Sequence, residues 1–347
     1  MKTAVVICPG RGTYNSAELG YLARHFPDGP LLETFDAQRL AADQPKLGEL
    51  DGAARFSLAN HTKGDNASAL IYAATLGDFL SIDRDRIEIV AVTGNSMGWY
   101  SALACGGALS AEDGFRVANT MGTLMQRSLI GGQLIYPFVD ENWVPYPERR
   151  ATLLALVDDI AARADHALVL SIDLGGILVL AGNEVGLSAF EAAVDPVQGR
   201  FPMRLYNHAA FHTALQAPVA AQGRDLLSPA LFGQPTLPLI DGRGAIWWPG
   251  ACQTQALWTY TLGTQVTETY DFTRAVTVAV REFAPDLLVI TGPGTTLGGA
   301  VAQSLILAGW RGMGAKQDFR AQQGKAPLLV SMGMVEQRGI VAKGVAL

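Results

Sequence analysis

A serine between two glycines gives the strongest chemical signal in the sequence. The pentapeptide GNSMG at 94–98 has the spacing G-x-S-x-G, with the apolar run 87–94 before it and the helix-like YSALACGGAL after it. In this pattern the glycines permit a strained turn between a strand and a helix, which places the serine at the helix N-terminus. The free N–H groups there favour a developing oxyanion. The pattern indicates that Ser96 is a nucleophile, with a purely structural turn as the alternative.

A serine nucleophile needs a base, and the sequence has five histidines. His25, His61 and His166 lie in polar or charged segments, and we expect them to be exposed. His208 and His212 lie together in YNHAAFHTALQAP, ahead of a helix-like segment. Spacing alone does not show which of these two histidines is the base.

The composition is that of a globular chain. Of its 347 residues 49% are hydrophobic and 17% charged, which suits a large domain with an insert and excludes extensive disorder. The net charge of −6, without a basic run, argues against a nucleic-acid partner. Cys8, Cys105 and Cys252 lie far apart, without metal-ligand spacing, so we expect no metal site and three reduced thiols of a cytoplasmic protein.

Short apolar runs recur along the chain and end in Gly or Pro. Those at 4–9, 87–94 and 286–292 lead into loops or helix-like segments, which predicts a mostly parallel sheet with helices on both faces. The N-terminal run lacks a signal-peptide cleavage site and is interpreted as the first buried strand. The uncharged stretch 287–310 is long enough to span a membrane, but GPGTTLGG interrupts it. A strand, a turn and a helix explain it, and we expect no membrane association.

The middle of the chain has a different pattern. Residues 167–182 resemble two adjoining strands with a turn at Gly175-Gly176, flanked by helix-like segments at 152–165 and 184–194. These elements predict a small inserted α+β unit. The predicted division is a large α/β catalytic domain at 1–129 and 206–310, a small subdomain at 130–205, and a C-terminal extension at 311–347.

Four segments, in order, resemble the malonyl-CoA:acyl carrier protein transacylases and the acyltransferase domains of fatty-acid and polyketide synthases. They are CPGRGTY (8–14), GNSMGWYSALACGGALS (94–110), FHTALQAP (211–218) and DLLVITGPGTTLGG (286–299). The resemblance extends from residue 4 to about 305. It implies an α/β-hydrolase-like parallel-sheet core with an inserted ferredoxin-like subdomain. It also implies that His212 is the base and that the N–H groups of Met97 and Arg11 form the oxyanion hole.

The function implied by this resemblance is ping-pong acyl transfer. An acyl-CoA would acylate Ser96, and the phosphopantetheine thiol of an acyl carrier protein would take the acyl group, with no permanently bound cofactor. One alternative is a hydrolase that removes acyl groups from thioesters in an editing role. Another is a non-catalytic binder of carrier proteins, which the intact Ser96 and His212 disfavour.

Several positions depart from the family pattern. Met121 stands where malonyl transferases have the arginine that binds the substrate carboxylate, and Arg11, Asn95 and Trp99 replace a glutamine, a histidine and a glutamate. We expect Met121, Trp99, Asn95 and Phe211 to line the acyl pocket. The resemblance implies that Phe211, which stands where synthase domains that use unbranched units have a bulky residue, disfavours branched groups. This predicts a monocarboxylic acyl group, such as acetyl or a longer chain. Alternatively, Arg11 pairs with the carboxylate of a malonyl group from the opposite wall.

One further position has two interpretations. Aligned through Phe272 and Thr273, Asp271 falls on the family's glutamine, whose backbone carbonyl helps to orient the catalytic histidine. An aspartate there would complete a Ser96-His212-Asp271 triad, which would favour hydrolysis slightly. Alternatively, Asp271 caps the helix predicted at TRAVTVAVREF.

Overall fold

Two β-sheets, one of six strands and one of five, form the frame of the protein. The computed structural model describes residues 1–26 and 29–343. The strands are β1 (Lys2–Cys8), β2 (Ile87–Gly94), β3 (Gly132–Pro137), β4 (Leu168–Leu174), β5 (Ile177–Gly182), β6 (Met203–Arg204), β7 (Leu239–Ile240), β8 (Ile246–Trp247), β9 (Tyr270–Asp271), β10 (Leu287–Ile290) and β11 (Leu329–Ser331).

The helices connect these strands and pack against the sheets. They are α1 (Tyr21–His25), α2 (Pro30–Ala41), α3 (Leu47–Asp51), α4 (Leu58–His61), α5 (Gly64–Ser81), α6 (Gly98–Cys105), α7 (Ala111–Arg127), α8 (Pro147–Ala161), α9 (Glu184–Ala193), α10 (Ala217–Leu226), α11 (Thr254–Thr259), α12 (Gln265–Thr267), α13 (Phe272–Phe283), α14 (Leu297–Leu307), α15 (Lys316–Lys325) and α16 (Val335–Val341). A π-helical turn, Tyr260–Thr264, joins α11 to α12.

The six-stranded sheet has the order β11-β10-β1-β2-β7-β8 and is parallel except for the β7–β8 pair. The predicted runs form β1, β2 and β10, which confirms the mostly parallel sheet. In β1, every residue from Ala4 to Cys8 is fully buried, which explains its unbroken apolar sequence. Since β1, β2 and β10 are parallel, their carboxyl ends lie at one edge of the sheet, and the loops that follow them meet there.

The five-stranded sheet has the order β6-β3-β5-β4-β9. Along the chain its elements follow the order β3-α8-β4-β5-α9-β6. In the sheet the last of these strands, β6, lies beside the first, β3, followed by β5 and β4. This is the ferredoxin-like arrangement that was predicted. The β4–β5 hairpin turns at Gly175-Gly176, where Gly175 has φ +65°. Four of its strands lie within 132–204, and β9 joins from residues further along the chain.

The residues predicted as a C-terminal extension contribute a strand to the six-stranded sheet. Strand β11 pairs in parallel with β10 and forms one edge of the main sheet. Beyond it, Arg338 Nη1 lies 2.6 Å from Oδ1 of the fully buried Asp78. The other Asp78 oxygen accepts hydrogen bonds from Tyr21 and the Gly292 N–H. Because the ion pair is buried, it ties the end of the chain to α5, and only 344–347 of the predicted extension lie outside the described residues.

The apolar stretch 287–310 forms β10, a loop and the eleven-residue helix α14. The strand, turn and helix predicted for it are therefore present. In the two ranges that the structure describes, none of the helices combines the length and the apolar character that crossing a bilayer requires.

Candidate active site

The nucleophile turn lies between β2 and α6. Ser96 has φ +55°, a left-handed conformation that favours glycine and is typical of a strained elbow. A Cβ on Gly98 would collide with the Cys8 carbonyl oxygen, and one on Gly94 would collide with the Gly98 backbone. Gly98 is needed because the turn is pressed against the end of β1, and Gly94 because the turn folds back on its own backbone. The Asn95 N–H donates to Cys8 O at 2.9 Å and fixes this contact.

His212 is the residue that meets Ser96. Its Nε2 lies 2.7 Å from Ser96 Oγ, and its Nδ1 lies 2.6 Å from the Gln265 carbonyl oxygen. A carbonyl oxygen only accepts, so Nδ1 carries the proton and the Nε2 lone pair faces the serine. Burial lowers the pKa of His212 to about 4, against a smaller opposing effect of the Gln265 hydrogen bond. The histidine is therefore a neutral base at pH 7.

Gln265 holds both catalytic residues. While its carbonyl accepts from His212, its side-chain Nε2 donates to the Ser96 carbonyl oxygen at 3.1 Å. Tyr100 donates to Gln265 Oε1 at 3.2 Å and fixes the orientation of the amide. The π-helical turn Tyr260–Thr264 directly precedes Gln265, and such turns are frequent at functional sites. Sequence reasoning did not find this residue.

The predicted triad with Asp271 is wrong. Asp271 is the N-cap of α13, and its Oδ1 accepts from the Arg274 N–H at 2.8 Å. The His212 Nδ1 that a triad aspartate would bind is occupied by the Gln265 carbonyl. The capping alternative is what the structure shows.

Two cavities meet at Ser96. An inner cavity of about 20 Å³ extends from the catalytic pair towards Ser68, Gly122, Met125 and Val266. A cleft of about 950 Å³ also opens at Ser96 and is lined by the five-stranded sheet, α14 and the loops after β1 and β2. The two share Arg11, Ser96 and Phe211 in their walls.

Only two of the four predicted pocket residues line these cavities. Phe211 lines both, and Asn95 lines the cleft. Trp99 is fully buried on another face of α6, where its indole N–H donates to Thr261 at 3.0 Å. Met121 is also fully buried, with its sulfur against Gly223 on α10. The predictions for Trp99 and Met121 differ from the structure because each side chain points from its helix into a packed interface.

The two predicted oxyanion-hole residues flank the nucleophile. Met97 is the N-cap of α6, and Arg11 lies in the loop after β1. In the described ranges, neither backbone N–H has a hydrogen-bond acceptor. Both are therefore free to donate to a ligand, and their joint role as an oxyanion hole stays a prediction.

The side chain of Arg11 is held at the junction of the two cavities. Its Nη2 donates to the carbonyl oxygens of Thr62 at 2.7 Å and Asn207 at 3.0 Å, and its guanidinium lies 5.5 Å from the centre of the Phe211 ring. Burial lowers the pKa of Arg11 to about 10, and Asp65 opposes this, so it is charged at pH 7. Its buried Nη1 has no hydrogen-bond acceptor among residues 1–26 and 29–343.

The other histidines do not reach Ser96. His61, expected to be exposed, is buried, and its Nε2 lies 2.9 Å from Leu50 O. His208 lines the cleft beside Arg11 and Phe211. Among the residues that the structure describes, no three His, Cys, Asp or Glu side chains are grouped as metal ligands would be.

Comparisons with known proteins found relatives of the chain among curated sequences and among solved structures. No family model matches the chain. A malonyl-CoA:acyl carrier protein transacylase of Salmonella typhimurium is 23% identical over 238 residues, 68% of this chain and 72% of the relative. The transacylase of Haemophilus influenzae is 24% identical over 255 residues, 70% of this chain and 74% of the relative.

Solved structures extend the likeness to nearly the whole chain. The transacylase of Xanthomonas oryzae superposes with a TM-score of 0.74 at 18% identity, covering 99% of both chains. The chain has the malonyl-CoA:acyl carrier protein transacylase fold. A malonyl transacylase solved in complex with a type II polyketide synthase carrier protein superposes at 0.69 and 21% identity, over 88% of this chain and 93% of that one.

The buried, uncharged histidine predicts an unusual pH profile for this transacylase fold. With a His212 pKa of about 4, the base is almost entirely neutral at pH 5.5, whereas an ordinary histidine with a pKa of about 6.5 would be about nine-tenths protonated. We expect the rate of Ser96 acylation by a subsaturating acyl-CoA to be constant from pH 8 to about 5.5. Quenched-flow mass spectrometry measures this rate, and near-UV circular dichroism controls for unfolding. A half-maximal rate near pH 6.5 would contradict the neutral-base geometry.

The position of Asp271 predicts separate effects on stability and on chemistry. Asp271→Ala removes the cap of α13 and should lower the free energy of unfolding by about 1 kcal/mol, while Ser96 acylation stays within about twofold. Asp271→Asn, which keeps a capping oxygen, is the matched control for stability. Urea unfolding and acylation rates measure the two effects. A fall in the acylation rate of about 10⁴-fold would instead indicate that Asp271 is a member of a catalytic triad.

Proposed function

We propose that this protein is an acyl carrier protein S-acyltransferase that works through an acyl-Ser96 intermediate. The observation that carries the proposal is the 2.7 Å contact between Ser96 Oγ and His212 Nε2, on a strained elbow that opens into a cleft. The names of its relatives and of its structural neighbours support the same reaction. The proposed site of action is the cytoplasm.

In the first half-reaction, Ser96 Oγ attacks the thioester carbonyl carbon and gives its proton to His212 Nε2. The oxyanion is stabilised by the N–H groups of Met97 and Arg11. When the tetrahedral intermediate collapses, the C–S bond breaks, and His212 protonates the departing thiolate of coenzyme A. The product is a serine ester with His212 neutral again.

The second half-reaction reverses these steps with another thiol. The phosphopantetheine thiol of a carrier protein gives its proton to His212 and attacks the ester carbon. The C–O bond to Ser96 breaks, and His212 returns the proton to the serine oxygen. No net proton is gained or lost, because one thioester replaces another.

The shape of the site supports a pantetheine-bearing substrate. A cleft of about 950 Å³ has room for the long arm of the thioester, whereas the inner cavity does not. Arg200 and Lys316 lie in the cleft wall, where they would attract the phosphates of coenzyme A or of a carrier-protein arm.

The inner cavity supports a short, unbranched acyl group. Its volume of about 20 Å³ is enough for about one water-sized group. An acetyl methyl is of that size, and a longer chain would require side chains such as Met125 to move. Among the residues that the structure describes, Arg11 is the one charged side chain in the wall of this cavity, and Met121 is turned away from it against Gly223. On the size of the cavity, acetyl or a similar small monocarboxylic group is the acyl group proposed.

A carboxylated acyl group is a second candidate because of one observation. The buried Arg11 Nη1 has no acceptor in the described part of the chain, although Nη2 has two. A buried charged donor without a partner is costly, and a substrate carboxylate would satisfy it. The hydrolase alternative has no such support, since the aspartate triad that favoured it is absent.

Intact-protein mass spectrometry after mixing with acyl-CoAs tests the reaction. The wild type should gain one acyl group on Ser96, and Ser96→Ala should gain none. His212→Ala should acylate more slowly by a factor of about 10⁴ or more. His208→Ala is the comparison variant, since both histidines share a loop but only His212 contacts the serine; it should lose no more than about tenfold.

The same sample separates transfer from hydrolysis. Adding a phosphopantetheinylated carrier protein should discharge the acyl-enzyme faster than buffer alone does. Equal discharge in both would favour the hydrolase.

A competition experiment decides the acyl group. Acetyl-CoA, hexanoyl-CoA and malonyl-CoA are mixed in equal amounts, and the acyl-Ser96 adducts are counted by mass. We expect acetyl to exceed malonyl, because the inner cavity of about 20 Å³ holds a methyl group but not the additional carboxylate of malonyl. Arg11→Gln, which removes the charge but keeps a side chain of similar reach, should leave that order unchanged. Malonyl loading fastest in the wild type and losing its advantage in Arg11→Gln would replace the monocarboxylate proposal with the second candidate.

A further inference from the structure

His208 is a polar side chain in the cleft that the proposed reaction does not use. It lines the cleft together with Ser96, and its ring centre lies 5.7 Å from that of Phe211, the residue before the catalytic base. The side chain is half-buried. It therefore shares the cleft with Ser96 and lies beside Phe211, the residue before the base.

A chain of hydrogen bonds fixes how this ring is protonated. Ser171 Oγ donates its only proton to the Phe211 carbonyl oxygen at 2.7 Å, and so it accepts from Gln133 Nε2, also at 2.7 Å. The amide of Gln133 is thereby oriented with Oε1 towards His208 Nδ1, 2.8 Å away. Since Oε1 only accepts, the His208 proton is on Nδ1.

The other nitrogen of the ring, Nε2, is then a hydrogen-bond acceptor. Burial, with the Arg11 guanidinium as a second cause, lowers the pKa of His208 to about 3, so the ring is neutral at pH 7 and Nε2 has a free lone pair. Over the described ranges of the chain, no side chain or backbone group donates to Nε2. Nearby Arg11 donates to the carbonyl oxygens of Thr62 and Asn207 instead.

The substrate arm carries the matching donor. A pantetheine thioester has an amide N–H two carbons from its sulfur, and coenzyme A and carrier proteins share this group. Because the inner cavity of about 20 Å³ is too small for the arm, the amide must lie in the cleft once the thioester carbon is at Ser96. An amide taken out of water loses free energy unless it finds an acceptor.

We propose that His208 Nε2 accepts a hydrogen bond from the pantetheine amide nearest the sulfur, and that His208 is a positioning residue in both half-reactions. The inference rests on the proposed function and adds to it a residue that recognises the arm rather than the acyl group. His208 does not take part in proton transfer; it sets where the thioester lies relative to Ser96.

The test combines a change in the protein with a change in the substrate. His208→Leu removes the acceptor, whereas His208→Gln keeps one, because its amide can donate to Gln133 and accept from the cleft. Ser96 acylation is measured as kcat/KM with acetyl-CoA, with the acetyl thioester of N-acetylcysteamine, and with acetyl S-propyl thioester, which has no amide. His208→Leu should lower kcat/KM roughly threefold to tenfold for the first two and leave the third unchanged. His208→Gln should recover most of the loss.

A methylated substrate makes the test independent of folding. The thioester of N-acetyl-N-methylcysteamine lacks the N–H, so wild type should lose a similar factor with it. In His208→Leu the methylated and unmethylated thioesters should have the same kcat/KM, because the substitution and the methylation remove the same hydrogen bond. An equal loss with the S-propyl thioester, or a loss with acetyl-CoA alone, overturns the assignment. If wild-type Ser96 is acylated by none of these thioesters, the proposed function itself fails.

Discussion

The hydrogen bond between His212 Nδ1 and the Gln265 carbonyl oxygen is the interaction on which the site depends. It fixes the tautomer of the base, and with it the direction of the lone pair towards Ser96. A carbonyl is a neutral partner, so it orients the imidazole without holding it charged, in keeping with a buried histidine whose pKa is lowered to about 4. Gln265 also donates from its side chain to the Ser96 carbonyl oxygen. One residue therefore sets the spacing between the nucleophile and the base.

The surroundings of Gln265 show how the fold supports this position. The helical segment 254–267 contacts α6, the helix that begins after the nucleophile, through side chains. Trp99 on α6 donates to Thr261, and Tyr100 donates to Gln265 itself. Downstream, Tyr270 donates to the Gly94 carbonyl oxygen at 2.5 Å, and β9 pairs with the small sheet. The elbow, the base and the small sheet are therefore connected by short contacts.

Much of the frame could be predicted from the sequence. Buried parallel strands appear as apolar runs ended by Gly or Pro, and a hairpin as two such runs around Gly175-Gly176, so β1, β2, β10 and the β4–β5 pair were found. The elbow has a sequence pattern because its glycines are required by contacts at the turn.

The remaining site residues carry no such pattern. Gln265 orients the base through its backbone carbonyl, which every amino acid has, and an aspartate six positions later was the more conspicuous side chain. Trp99 and Met121 are on the expected helices, but the face each presents is decided by packing against the segment around Thr261 and against α10. His61 lies in a polar segment and is nevertheless buried, because its ring finds backbone partners.

The small size of the inner cavity has a consequence for the lifetime of the proposed acyl-enzyme. Once a two-carbon acyl group fills it, the water-sized space behind the ester is occupied. Among the residues that the structure describes, the walls shared by the cavity and the cleft are Arg11, Ser96 and Phe211. Water and the acceptor thiol must then approach the ester carbon from the same side. Wasteful hydrolysis and productive transfer therefore compete for one approach, and a bound pantetheine arm suppresses hydrolysis simply by occupying it.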